Sequence, residues 1–183
     1  HGRDQWKTID PTQYDKMVFV GDYVDSFYHT NSQILNNLKD IIQLKKDNMD
    51  KVTLLLGNHD IQYMFHDSRM TFGCSGFRPE AQFDLTKIFR DNKDLFKAAF
   101  QINKTIITHA GISNGWYYKN GEIIESISKQ FGTVDLADTF NHMLWLKENE
   151  ILHQVGRKRG GYYPHGGITW EDRSETKDSS LAG

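Results

Sequence analysis

Three short apolar runs, each broken off by glycine and polar residues, constrain this chain more than any other feature. Met17-Val18-Phe19-Val20 leads into Gly21-Asp22, and Val52-Thr53-Leu54-Leu55-Leu56 leads into Gly57-Asn58-His59. Thr105-Ile106-Ile107-Thr108 leads into His109-Ala110-Gly111 in the same way. Continuous β-branched and aliphatic runs predict strands buried on both faces. An α/β protein holds its functional groups at the carboxyl ends of such strands, so the polar residues after each run are the first candidates for a site.

Helical patterns lie between the runs. Asn31 or Ser32 is expected to cap a helix whose apolar positions Ile34, Leu35, Leu38, Ile41 and Ile42 recur at helical spacing. Lys45 falls on that stripe and Leu44 at its margin, so the buried face is expected to end about there. A second helical region is expected from about Glu80 to Phe100, broken near Asp91-Asn92, and a third after Asp135, burying Leu136, Phe140, Met143, Leu144 and Leu146. Gly73 to Gly76 and Arg157 to Gly161 read as loops, and the tail from Ser174 is polar without periodicity. With 183 residues, 38% hydrophobic and 13% aromatic, the chain suits one packed α/β domain spanning 1–183 rather than a disordered one.

Composition narrows the partners. No apolar run has the length of a membrane span. A lone cysteine, Cys74, has no internal disulfide partner, and a reducing, cytoplasmic compartment is the expectation. A net charge of -2 offers no general attraction to nucleic acid, so nucleic acid enters only as a substrate. Any phosphate recognition must then rest on metals and a few placed cations.

The strand-end residues have the types that such chemistry needs. A hydrolytic phosphoesterase requires a nucleophile at neutral pH, neutralised phosphate charge and a proton for the leaving oxygen. Two divalent metals about 3.5–4 Å apart supply the first two. Asp22 is placed to bridge them, Asn58 to add a neutral oxygen and His109 an imidazole nitrogen, a mixed set suited to manganese, iron or zinc, with manganese preferred. His59 is the candidate general acid, and Asp25 the carboxylate that orients its imidazole and favours its protonated form.

Together these residues resemble the calcineurin-like metallophosphoesterases, and more narrowly the phosphoprotein-phosphatase branch with its bacterial and phage members. His1-Gly2 is similar to the end of that family's Asp-x-His-Gly, Gly21 to Asp25 to its Gly-Asp-x-Val-Asp-Arg-Gly, and Gly57 to Asp60 to its Gly-Asn-His-Glu. His109-Ala110-Gly111 matches the fourth motif, and the order is the family's. Gly160-Gly161 and Gly166 to Asp172 are similar to stretches of bacterial members. The resemblance implies a β-sandwich of two mixed sheets flanked by helices. It also implies one metal on His1 and Asp22, the other on Asp22, Asn58 and His109, and His59 with Asp25 as the acid pair.

The departures carry expectations of their own. The chain opens at the histidine of the first motif and ends before any Gly-His equivalent, so each metal would lack one family ligand, and flanks beyond both ends are expected in the parent protein. Ser26-Phe27 stands where the family has Arg-Gly, replacing a bidentate phosphate grip with one neutral hydroxyl. Arg159, or its neighbour Arg157, is the candidate replacement; a solvated loop is an equal reading for that cluster. Asp60 in place of glutamate keeps the charge. His29, His66, His142, His153 and His165 read as surface or structural, with His165 first in line for a place in the cleft, and Cys74 reads as unreactive. Tyr162, Tyr163 and Trp170 read as core aromatics.

The expected function is metal-dependent hydrolysis of phosphate monoesters, with a phosphoserine or phosphothreonine protein as the leading substrate. A phosphodiesterase or pyrophosphatase acting on dinucleoside polyphosphates, cyclic nucleotides or nucleic-acid ends is the alternative raised by Ser26. An inactive binding module is the alternative raised by the absent terminal ligands.

Overall fold

A computed structural model describes residues 5–66 and 73–177. His1 and Gly2 lie outside the described residues, and with them the expected ligand His1.

The first two runs pair as expected. β1 (Met17–Phe19) and β2 (Val52–Leu55) are parallel, with Phe19 opposite Leu54. Parallel neighbours need a long crossover, supplied here by helix α1 (Asn31–Asp47). After β2 come α2 (Asn58–Met64) and α3 (Gln82–Asp91), and β3 (Phe96–Lys97) returns parallel to β2. A second ladder is antiparallel: β4 (Ala99–Ile102) pairs β5 (Thr105–Thr108), with Ala99 opposite Thr108. Helices α4 (Asn114–Phe131), α5 (Leu136–Met143), α6 (Asn149–Leu152) and α7 (Arg173–Thr176) complete the chain. The α/β class holds, with two sheets among the described residues: β1-β2-β3, all parallel, and β4-β5, antiparallel.

Burial follows position in the sheets. β2 lies between two partners and is buried at every residue, whereas β1 and β5 are partly exposed. The expectation of burial on both faces is thus corrected for β1 and β5, which among the described residues each have a strand partner on one side only.

Helix α1 is capped by Thr30, not by Asn31 or Ser32. The Thr30 hydroxyl accepts from Gln33 N at 3.3 Å and the Gln33 side-chain Oε1 accepts from Thr30 N at 2.9 Å, a reciprocal capping box. Its buried face runs through Ile34, Leu38, Ile41 and Ile42 and continues to Lys45. That lysine is tolerated because its ammonium donates to the carbonyls of Met49 (2.6 Å) and Val52 (2.7 Å), while burial pulls its pKa down.

Two further expectations change. The region from Glu80 to Phe100 is α-helical over α3, which ends at Asp91 near the expected break, and one 3-10 turn follows at Lys93–Leu95; Phe96 onward pairs into β3 and β4. The turn between these strands is held by Asn141 of α5, whose side-chain oxygen accepts from Ala98 N (2.8 Å) and Ala99 N (3.2 Å) while its Nδ2 donates to Ala99 O (3.1 Å). Helix α4 was not expected. Ser113 caps it, Trp116, Ile124 and Ile127 form its buried stripe, and Gly132 ends it in the left-handed conformation. One hydrophobic cluster extends from Val24 to Ile168 and includes Leu38, Leu54, Phe89, Trp116 and Phe140.

Thr30→Ala should remove the α1 cap and lower stability by about 1 kcal/mol, read as a lower urea midpoint with an unchanged slope. An unchanged midpoint would show the capping box to be idle.

Candidate metal centre

The parallel register of β1 on β2 determines where the site lies. With Phe19 opposite Leu54, the loops leaving both strands emerge on the same edge, and Gly21-Asp22 meets Gly57. The two backbones are in contact. A Cβ on Gly21 would fall 2.3 Å from Gly57 N, and one on Gly57 would fall 2.3 Å from Asp22 Oδ1. Only glycine fits at either position. The loop also twists sharply, with φ of 94° at Gly21, 60° at Asp22 and 63° at Asp25. A left-handed aspartate is uncommon and needs to be held by its surroundings.

Asp60 holds it. This fully buried carboxylate accepts from Asp22 N at 2.7 Å, Tyr23 N at 2.9 Å and Gly57 N at 2.8 Å. It thereby ties the β1 loop to the first turn of α2. Burial and the neighbouring Asp22 charge push its pKa up to about 8, against the pull of the three amides. Tyr23 adds a second tie, its hydroxyl donating to Leu55 O at 2.9 Å.

In this frame three donor atoms converge. Asn58 Oδ1 lies 3.0 Å from His109 Nε2, which lies 3.5 Å from Asp22 Oδ2. The other ring nitrogen of His109 sits 2.5 Å from Val20 O. A carbonyl can only accept, so Nδ1 carries the proton and Nε2 of a neutral ring presents a lone pair. Asn58 keeps its oxygen toward that ring while its Nδ2 faces Cys74 Sγ at 3.7 Å. An imidazole lone pair, an amide oxygen and a carboxylate oxygen thus face one another. Such a meeting asks for a cation, and the nitrogen–oxygen donor set fits a divalent transition metal. Asp22 leaves the other side of its carboxylate accessible, since its side chain is 39% exposed.

His59 and Asp25 come together as well. His59 Nδ1 lies 3.0 Å from Asp25 Oδ2. Asp25 is buried, and its carboxylate also accepts from Gln62 Nε2 and, at 2.5 Å, from the Tyr63 hydroxyl. The Asp25 hydrogen bond raises the His59 pKa and outweighs the burial that lowers it; the Asp22 charge adds to the rise. Asp22 Oδ1 also accepts from His59 N at 3.3 Å, so the two halves of the site are joined by a direct hydrogen bond.

Ser26 does not act as a stand-in grip in this conformation. Its hydroxyl bonds His29 Nδ1 at 2.8 Å, and Arg78 clamps the loop from below, donating to Ser26 O, to His29 O at 2.8 Å and to Asn31 Oδ1 at 2.6 Å. Beside Asp22 opens a cavity of about 380 Å³, lined by polar groups including Lys7, Ser26, His29 and Gln33. Arg157 and Arg159 lie on an exposed turn closed by left-handed Gly160, and Arg159 Nε pairs with Asp172 Oδ2 at 3.0 Å. Their segment is tethered to the His109 loop by the hydrogen bond from Ala110 N to Ile168 O, 2.9 Å.

Several supporting residues were not singled out from the sequence. Asp60 was read only as a conserved charge in the third motif, and Gln62 and Tyr63 not at all. Their signal was present: positions 59, 60, 62 and 63 all lie on the short helix that begins the motif, so their side chains surround one turn. Cys74 is buried, and burial, reinforced by Asp25 and Asp22, pushes its thiol up to about 12, which agrees with an unreactive residue. His153 is buried and held neutral, its pKa pulled down to about 3 by burial, which makes it structural. Tyr162 is 87% exposed and is no core residue.

Gly57→Ala should displace Asp22, lower stability by about 1–3 kcal/mol and weaken Mn²⁺ binding at least about tenfold. Gly121→Ala, where a Cβ meets nothing within 4 Å, is the control and should leave binding unchanged. Calorimetric Mn²⁺ titration beside urea unfolding reads both; equal affinities in the two variants would contradict the close-contact account.

A family model described as calcineurin-like phosphoesterase matches residues 3–178. No curated protein and no solved structure gives a match. Among the described residues no helix is long and apolar enough to cross a membrane. With nearly its whole length matched, the chain belongs to the calcineurin-like phosphoesterase family.

Proposed function

We propose that this protein hydrolyses phosphate monoesters through a two-metal centre built on Asp22, with a phosphoserine or phosphothreonine protein as the leading substrate class. The observation that carries this reading is the meeting of the Asp22, Asn58 and His109 donors beside the His59–Asp25 pair. When bound, divalent metals, manganese foremost and iron or zinc next, supply an acidified water and neutralise the phosphoryl oxygens. His1, with Asp22, is the proposed ligand set of the second ion.

The chain's own residues do the rest. Val20 O fixes the His109 tautomer so that Nε2 is available to a metal. Asp22 and His59 are held in register by the hydrogen bond from His59 N to Asp22 Oδ1, which keeps the proposed acid beside the proposed metal-bearing carboxylate. His59 in its protonated form donates to the departing oxygen, and Asp25 keeps the proton on that ring until it is needed. Arg159, with Arg157 as the neighbouring candidate, is proposed to turn from Asp172 toward the substrate phosphate.

A second substrate reading rests on Ser26. Its hydroxyl and carbonyl are both engaged within the loop, and the cavity beside Asp22 is lined by polar, hydrogen-bonding side chains. A dinucleoside polyphosphate, cyclic nucleotide or nucleic-acid end offers polar groups for such a wall. Side-by-side rates on a phosphopeptide, a dinucleoside tetraphosphate and a 5′-phosphorylated oligonucleotide separate the two; a dominant phosphopeptide rate dismisses the second. The inactive-module reading falls if the full-length protein turns over any of them.

Full-length protein with Mn²⁺ should hydrolyse an aryl phosphate, and His59→Ala should lower kcat by about 10²–10⁴-fold. Wild-type turnover in that variant would sink the assignment.

The pH profile gives a separate check. An acid must be protonated to act, so kcat falls as pH rises through the His59 pKa, which Asp25 raises. Asp25→Asn removes that support and should move the alkaline limb toward lower pH, on phosphopeptide as on aryl phosphate. A limb that stays in place would remove Asp25 from its proposed role.

A further inference from the structure

The segment from His165 to Glu175 folds back on itself beside the start of α4. Its glycines allow the tight return: a Cβ on Gly166 would lie 2.3 Å from Trp170 O, and one on Gly167 would lie 2.4 Å from Leu152 O. The return brings the His165 imidazole and the Glu171 and Glu175 carboxyls together, with one donor atom from each inside a span of 4.8 Å. Glu175 is fixed there because its Oε2 accepts from Gly166 N (3.2 Å) and Asp172 N (3.4 Å). The imidazole is fixed by packing, since a Cβ on Gly115 would come within 2.4 Å of His165 Nε2.

Glu171 is the unusual member. Its residue is 2% exposed, and neither carboxylate oxygen makes a hydrogen bond of good geometry, the polar groups beside it being Ser113 and Glu175. His165 Nδ1 is likewise buried and unpartnered. Among the described residues no ion pair engages Glu171. A buried carboxylate without a partner costs several kcal/mol, and proteins answer the cost with a proton, a cation or a metal. A shared proton between two carboxyls would leave the imidazole nitrogen without a role. A metal uses all three donors.

We propose that His165, Glu171 and Glu175 form a second, structural cation site, separate from the Asp22 centre, that takes one divalent transition-metal ion. Zn²⁺ and Mn²⁺ fit an imidazole with two carboxylates better than Mg²⁺ or Ca²⁺, which prefer oxygen alone. Donors on a shell of about 2.1 Å radius are drawn together from the observed span by small side-chain movements. Burial, with Glu175 beside it, pushes the Glu171 pKa up to about 8, as expected of a carboxyl placed where positive charge is lacking. The bound ion ties the return and α7 to the loop that carries His109. Ala110 N donates to Ile168 O, and Gly111 packs near Thr176. The site therefore braces the main centre without sharing a ligand with it.

Metal-free full-length protein carrying Asp22→Asn and His109→Ala, which disables the first centre, isolates the second. Titrated with Zn²⁺, it should bind one equivalent per chain and gain thermal stability. Adding Glu171→Gln, or Glu175→Gln (which keeps an oxygen for Gly166 and Asp172), should weaken that binding by about 100-fold. In the otherwise intact protein, Glu171→Gln should lower the metal content by one equivalent while circular dichroism stays native. The proposal is overturned if the Asp22→Asn, His109→Ala protein binds no Zn²⁺, or if neither glutamine variant weakens its binding. Absent Zn²⁺ binding together with undiminished stability of Glu171→Gln at neutral pH would instead identify a carboxyl pair sharing a proton. None of these readouts depends on hydrolysis, so failure here leaves the phosphoesterase reading standing, and the reverse holds too.

Discussion

One buried carboxylate joins the two strand-end loops on which the site is built. Asp60 gathers the amides of Asp22, Tyr23 and Gly57. Without it, the left-handed turn at Asp22 has nothing to oppose its strain, and the contact between Gly21 and Gly57 loses its lock. Each of these three hydrogen bonds contributes about 0.5–1.5 kcal/mol net, enough in sum to hold a backbone conformation that an aspartate rarely adopts. The donors of the metal centre inherit their positions from this tie. Its placement on α2, one residue beyond His59, also couples the acid pair to the same frame.

The sequence made legible those features that depend on local chemistry. Strands β1, β2 and β5 were readable from uninterrupted apolar runs, and the residues after them from the abrupt change to glycine and polar types. Asp22, Asn58, His109, His59 and Asp25 come together as their types implied. What was not legible depends on contacts distant in sequence. Phe96 to Ile102 contains Ala98-Ala99, which by propensity continues a helix, yet pairing with β2 and β5 and the grip of Asn141 make it strand. This is tertiary override of a weak local preference.

Other misses were local and recoverable. Thr30 and Gln33 carry the spacing of a capping box, and Ser113 and Gly132 bracket α4. Gly115 and Gly121 obscured that helix because glycine disfavours helix interiors. Gly115 has a reason to be there: the His165 ring occupies the space a side chain would need. At Lys45 the buried face ends as its place on the stripe suggested, and the carbonyls of Met49 and Val52 explain how a lysine is accommodated there. Arg157 and Arg159 show the opposite case, since the chemistry of the residues is plain while their partner in this structure is Asp172.

The account rests on the neutral ring of His109 presenting its Nε2 lone pair to Asp22 and Asn58, with the Nδ1 proton directed at Val20 O. Imidazole nitrogen resonances measure this directly. Long-range ¹H–¹⁵N spectra of the Zn²⁺-loaded full-length protein should show His109 protonated at Nδ1 alone, with Nε2 shifted as a metal-bound nitrogen. A His109 protonated at Nε2 while the protein is saturated with Zn²⁺ would contradict the account.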